Sequence, residues 1–210
     1  AVELATAINT NSSTPIYLNF TSDTLEAVLT IDYDCVIERS PSLSGNCTII
    51  SAAAKSVLIQ DATVTIGATG STASDEVIVF NGNSVDTPIE ITSSGSDTTA
   101  VLNNIRVHGS DDNGISIQGG NSDTLHVTIN DSEVDNNTND GVSLESIAAT
   151  PTLRTLITNR TDCHTNGASG ADQGLTWHEE FDRVTINGGS FYGNIAQGIA
   201  SGAGLTTAIA

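Results

Sequence analysis

The chain runs to 210 residues, of which 38% are hydrophobic and 15% charged, enough for one sizeable core, and no shift in composition marks a second domain. Acids outnumber bases 25 to 6, and the resulting net charge of −19 repels nucleic acid and anionic membrane surfaces alike. No run of about 18 apolar residues is present, so neither a transmembrane helix nor membrane insertion is expected.

In chain order, residues 2–8 (Val2, Glu3, Leu4, Ala5, Thr6, Ala7, Ile8) carry the one helical stripe and are read as a short N-terminal capping helix. The chain contains no Met, so a processed chain or a fragment is expected, with removal of a signal peptide before Ala1 as the simplest account. Pro15, Ile16, Tyr17, Leu18, Asn19 and Phe20 open the first coils, and residues 1–55 are assigned to the cap and these coils. Cys35 and Cys47 flank a short loop at residues 40–45 and are candidates for a disulfide in an oxidising compartment, with Cys163 left over. Asn-x-Ser/Thr sequons begin at Asn11, Asn19, Asn46, Asn130, Asn136 and Asn159, about the number that a chain rich in these residues contains by chance.

Residues 56–204 carry a repeat. Four segments superpose without gaps: Leu102 to His108, Ile129 to Asp135, Thr158 to His164 and Ile186 to Tyr192. Their second residues, Asn103, Asn130, Asn159 and Asn187, are spaced by 27, 29 and 28 positions. A fifth segment, Ile59 to Thr65, fits with Gln60 in place of Asn. Each of the four is followed by a short strand opening with Gly: Gly114, Gly141, Gly174 and Gly198. The third coil inserts residues 168–171, and residues 84–97 read as a looped-out excursion. Short Val/Ile/Thr strands in one register, coil after coil, require a solenoid, whereas a sandwich needs no such register. Stacking gives an inward column of Val64, Val107, Val134, Cys163 and Phe191, a buried Trp177, and a structural ladder of Asn103, Asn130, Asn159 and Asn187. The sense is expected to be right-handed, as parallel crossovers are.

This ladder and the turns Asp112-Asn113-Gly114-Ile115, Asn139-Asp140-Gly141-Val142 and Ala196-Gln197-Gly198-Ile199 resemble the right-handed parallel β-helix proteins of the pectate-lyase-like superfamily, including bacterial and phage surface proteins. The resemblance covers residues 56–204 and implies an all-β solenoid. It specifies fold far better than activity.

Outward columns are where chemistry is to be sought. His108, Asp135, His164 and Tyr192 form one, a set suited to proton transfer beside a uronate carboxyl group, to holding a metal, or to nothing more than a solvated ladder. Arg106 and Arg160, in the neighbouring frames, alternate differently and give no cluster to stabilise an enolate. A second column, Phe80, Gln118, Glu145 and His178, with Ile78, Ser116, Ser143, Thr176 and Ala200 beside it, is a candidate substrate-binding strip. Asp111 and Asp112 sit at a turn, where Ca²⁺ is the one cofactor to consider. Cys163 reads as a buried free thiol.

These residues lead us to expect a secreted protein of the cell or virion surface, structural, adhesive or receptor-binding, with a polysaccharide as the ligand to test. The alternative is a lyase or epimerase acting on an acidic glycan. The uncharged run of residues 201–210 looks like an open solenoid end, from which self-association or a neighbouring subunit is expected.

Overall fold

The computed structural model describes residues 15–25, 27–52, 57–67, 76–119, 124–146, 153–167, 172–177, 182–201 and 208–209. Its strands form three parallel sheets, and the chain visits them in strict rotation, so it is an all-β parallel solenoid with no helix among the described residues. The capping helix expected at residues 2–8 lies outside the described residues. Sheet 1 runs through Ile16–Leu18, Cys35–Arg39, Thr63–Ile66, Thr98–Asn103, Thr124–Asn130, Leu153–Asn159, Arg183–Asn187 and Ala208–Ile209. Sheet 2 stacks Ser22–Thr24, Cys47–Ile50, Ile78–Asn81, Ile105–His108, Glu133–Asp135, Asp162–His164 and Phe191–Tyr192. Sheet 3 stacks Leu29–Ile31, Val57–Gln60, Ile89–Thr92, Ile115–Gly119, Val142–Ser146, Gln173–Trp177 and Gln197–Ser201. One strand from each sheet makes a coil, numbered here 1 to 7 from the N-terminus.

The alternation of the strands fills the bore with aliphatic columns. Ile37, Ile66, Leu102, Ile129, Thr158 and Ile186 line sheet 1, and Leu29, Val57, Ile89, Ile115, Val142, Leu175 and Ile199 line sheet 3. A slip of one residue would turn every one of these side chains to water, at about 1.5–3 kcal/mol for each large aliphatic, so the register is firmly set.

Coils 4 to 7 stack in the register expected from the four frames, Leu102 on Ile129 on Thr158 on Ile186 and Val107 on Val134 on Cys163 on Phe191. Cys163 is fully buried, and Trp177 points inward at 3% exposure. Earlier in the chain the expected register fails. The segment Ile59 to Thr65 is no fifth frame: Gln60 ends a sheet 3 strand opposite Thr92, and Val64 lies in sheet 1 between Cys35 and Ala100. The sheet 2 column is continued toward the N-terminus by Phe80 and Ile49. Residues 84–97 are not an excursion, for they contain the sheet 3 strand of coil 3, Ile89–Thr92.

Cys35 and Cys47 are not joined. Both are buried free thiols, Cys35 opening a strand of sheet 1 and Cys47 opening one of sheet 2.

The corners explain the repeat. Between sheets 1 and 2 the chain turns through a residue of positive φ directly after each ladder Asn, Asn104 (48°), Asp131 (51°), Arg160 (48°) and Gly188 (73°), the last followed by a second, Gly189 (97°). Between sheets 2 and 3 the same device recurs at Gly109 (72°), Asn136 (55°), Thr165 (57°) and Gly193 (65°). Left-handed backbone costs a non-glycine residue about 1–2 kcal/mol, which the side-chain rails described next must offset.

Candidate functional site

Two amide rails run along the solenoid. In the first, Nδ2 of Asn130 donates to Oδ1 of Asn103 (2.7 Å), Asn159 to Asn130 (2.6 Å) and Asn187 to Asn159 (2.8 Å), so the expected ladder is formed. The second was not read from the sequence: Asn137, Asn166 and Asn194, at the corner between sheets 2 and 3, with Ser110 in the equivalent place of coil 4. Asn137 donates to Asn166 (2.9 Å) and Asn166 to Asn194 (3.1 Å), while the Oδ1 of each receives the backbone N–H of the coil before. The signal was present, since positions 110, 137, 166 and 194 repeat the 27-, 29- and 28-residue spacing. This rail also explains the strand-opening glycines. A Cβ on Gly114, Gly141 or Gly174 would lie 2.6, 2.7 or 2.7 Å from a rail amide and within 2.7 Å of the next glycine's carbonyl.

The outer face of sheet 2 holds the first candidate set. His108, Asp135, His164 and Tyr192 are stacked in register, preceded by Asn81. Arg106 stands two residues before His108 and shares its outward face, contrary to the alternation assigned from the sequence, in a column with Val79, Glu133 and Asp162. That placement gives Asp135 its partner. Its side chain is 0% exposed, and its oxygens accept a bidentate pair from Arg106, Nε to Oδ1 at 2.9 Å and Nη2 to Oδ2 at 2.8 Å. Asn136 adds a further hydrogen bond to Oδ2. The Asp135 carboxylate in turn raises the Arg106 guanidinium above its ordinary value.

His164 is engaged on both ring nitrogens, Nε2 with Glu133 at 2.9 Å and Nδ1 with the Thr165 hydroxyl at 3.1 Å. Its ring stacks on Tyr192 with centroids 4.8 Å apart and planes 14° from parallel. His108 is held below the ordinary imidazole value, by burial first and the neighbouring Arg106 second, with Asp135 and Glu133 opposing. At the adjoining corner Arg160 clasps Asp131 through contacts of 2.6 and 2.7 Å. Arg106, Asp131, Glu133, Arg160, His164 and Tyr192 together line an open groove of about 500 Å³ across coils 4 to 7. Two of the six cationic side chains of the whole protein stand in it.

On sheet 3, Gln118 and Glu145 are neighbours as expected, with Gln118 Nε2 donating to Glu145 at 3.1 Å and Asn113 Nδ2 donating to it at 3.2 Å. Ser116, Ser143, Thr176 and Ala200 also align. Phe80 and Ile78 do not belong to this strip: both are buried on sheet 2, and Thr92 and Glu90 take their places beside Gln118 and Ser116. His178 lies outside the described residues. At the sheet 2–3 corner Asp112 accepts from Asn139 (2.6 Å) and from the Thr87 hydroxyl (3.4 Å), tying coil 4 to the coils on either side. Among the described residues no group of three His, Cys, Asp or Glu could hold a metal ion.

Comparison with protein-family models, with curated proteins and with solved structures yields no match to this chain, so its assignment rests on the parallel β-solenoid itself.

Proposed function

We propose that the protein is a non-catalytic β-helix of the cell or virion surface, structural and adhesive, whose sheet 2 groove binds an extended polysaccharide. Membership of the pectate-lyase-like superfamily is part of the same proposal and rests on the Asn rail and the Gly turns. The observation that carries the reading is the clasp of the half-buried Arg106 on the buried Asp135. A carboxylate with both oxygens bound to a guanidinium is withdrawn from proton transfer and braces coil 4 against coil 5. The groove keeps what glycan binding needs. Tyr192 is 58% exposed and held flat by the ring beneath it, and Arg160 is 70% exposed at the rim. A net charge of −19 favours a glycan of low charge over a polyuronate.

The test is a polysaccharide panel, alginate and pectate included, run with and without Ca²⁺ and read for both retention and new chain ends. Retention without cleavage or epimerisation is expected, with Tyr192→Ala abolishing it while leaving the melting temperature unchanged. Cleavage or epimerisation that disappears in His164→Ala would replace this reading with the lyase or epimerase alternative.

A further inference from the structure

The outer faces of the three sheets differ in charge. Glu133 and Asp162 stand on the outer face of sheet 2, and Glu90 and Glu145 on that of sheet 3. In coils 3 to 7 the outer face of sheet 1 consists of two columns with the Asn rail beside them. One column is Thr63, Thr99, His126, Thr155 and Arg183, and the other is Thr65, Val101, Thr128, Ile157 and Thr185. Neither contains an acid, in a chain that has 25 of them.

The two columns are chemically uniform. Apart from His126 and Arg183, every member is Thr, Val or Ile, and a side chain branched at Cβ is stiff about χ1, so its methyl and hydroxyl groups keep fixed positions. The strands pair residue for residue through these coils, which repeats the groups at about 4.8 Å from coil to coil and about 6.6 Å from one column to the other. Among the described residues the hydroxyls of Thr65, Thr99, Thr128 and Thr185 have no partner within the protein and are left to the solvent. The His126 ring is turned onto its neighbour, Nδ1 to Thr155 Oγ1 at 2.5 Å, and Arg183 in coil 7 is the one full charge.

We infer that the outer face of sheet 1 binds ice. An occupant of this face has to be uncharged, periodic in two directions, and matched by hydroxyls standing among methyls. The prism face of ice is such a surface: its oxygens repeat at spacings near those of the two columns, a hydroxyl can replace a lattice water, and a methyl fills the space between. An acid would hold a hydration shell that fits no lattice, and the columns have none. A glycan finds no aromatic ring here to stack on, whereas the sheet 2 groove offers Tyr192. The two surfaces lie on different sheets, so either reading can fail alone.

The full 210-residue chain is to be tested for faceting of single ice crystals and for a gap between their melting and freezing points, beside Thr65→Lys, Thr128→Lys and Thr48→Lys. Thr65 and Thr128 are half-buried outward residues, so lysine at either leaves the core untouched and raises a hydrated ammonium above the columns. Both variants should lose faceting and the gap while keeping the melting temperature of the protein. Thr48→Lys, on the outer face of sheet 2, should retain both effects. Round crystals without a gap, effects that survive Thr65→Lys and Thr128→Lys combined, or their loss in Thr48→Lys would each overturn the inference. So would sedimentation showing this face covered by a second copy, released by Thr128→Lys, at the concentrations of the ice assay.

Discussion

Replacing Asn166 by Ala should cost more stability than replacing any other rail residue. Asn166 is 0% exposed, and its Oδ1 accepts both the backbone N–H (3.2 Å) and the side-chain amide (2.9 Å) of Asn137, itself 2% exposed. Its Nδ2 donates to the Val134 carbonyl and to Asn194, each at 3.1 Å. The alanine strands two buried donors and a buried carbonyl. At about 1–3 kcal/mol per stranded group, less some relaxation, the loss comes to roughly 3–5 kcal/mol, or on the order of 10 °C in melting temperature for a chain of this size. Asn130→Ala breaks one bond to the buried Asn103 and one from the part-exposed Asn159, strands fewer buried groups, and should cost only about 1–2 kcal/mol. Urea unfolding followed by circular dichroism, with both variants fitted at a common slope, gives the comparison. An Asn166→Ala protein no less stable than Asn130→Ala would refute the argument that buried amide satisfaction holds the corner.

Arg106→Ala leaves the buried Asp135 carboxylate without its partner and should cost about 3 kcal/mol. Adding Asp135→Asn to that variant should recover part of the loss, and a double variant no more stable than the single one would mean the carboxylate is not the source of the penalty. Burial holds the Cys35 and Cys47 thiols at about 11, against an ordinary 9.0. Between those two values the unfolded chain releases thiol protons that the folded chain keeps. Their contribution is therefore fully present below pH 9 and is lost as pH rises through 11, by roughly 2–3 kcal/mol per thiol. Urea midpoints on either side of that window check the slope, and rapid alkylation of the native protein at neutral pH would contradict the burial behind it.

The coils that could be read from sequence are those whose corners carry Asn. Asn103, Asn130, Asn159 and Asn187 each precede a left-handed corner, so one residue type marks the same point of every coil from 4 to 7. Coil 3 has no such mark. Opposite Asn103 it places Gly67, at φ 88°, where a Cβ would fall 1.8 Å from the Asn103 carbonyl oxygen, so an Asn cannot stand there. Without the marker, Gln60 served as a false one, and the shift that followed carried Phe80 and Ile78 to the wrong sheet. In the candidate site the columns were legible and the contacts between them were not. Registers place Asp135 beside His108 and His164 along one column, whereas its binding partner Arg106 lies diagonally across two columns. Alternation alone puts residues 106 and 108 on one face. The reach of a guanidinium across a rung is what turned an outward acid into a buried one.

The amide rails also govern how such a protein changes over generations. Because Asn103 and Asn130 occupy the same corner, removing residues 104–130 as a block would leave Asn103 followed by Asp131 and facing Asn159, a corner chemically like the one lost. Gain or loss of 27 to 29 residues by unequal recombination therefore preserves every rail, whereas a change of a few residues within a strand breaks both. Length is inherited in whole coils, and with it the length of the groove on sheet 2, so descendants of this chain can match ligands of different size by counting coils while the chemistry of each one stays fixed.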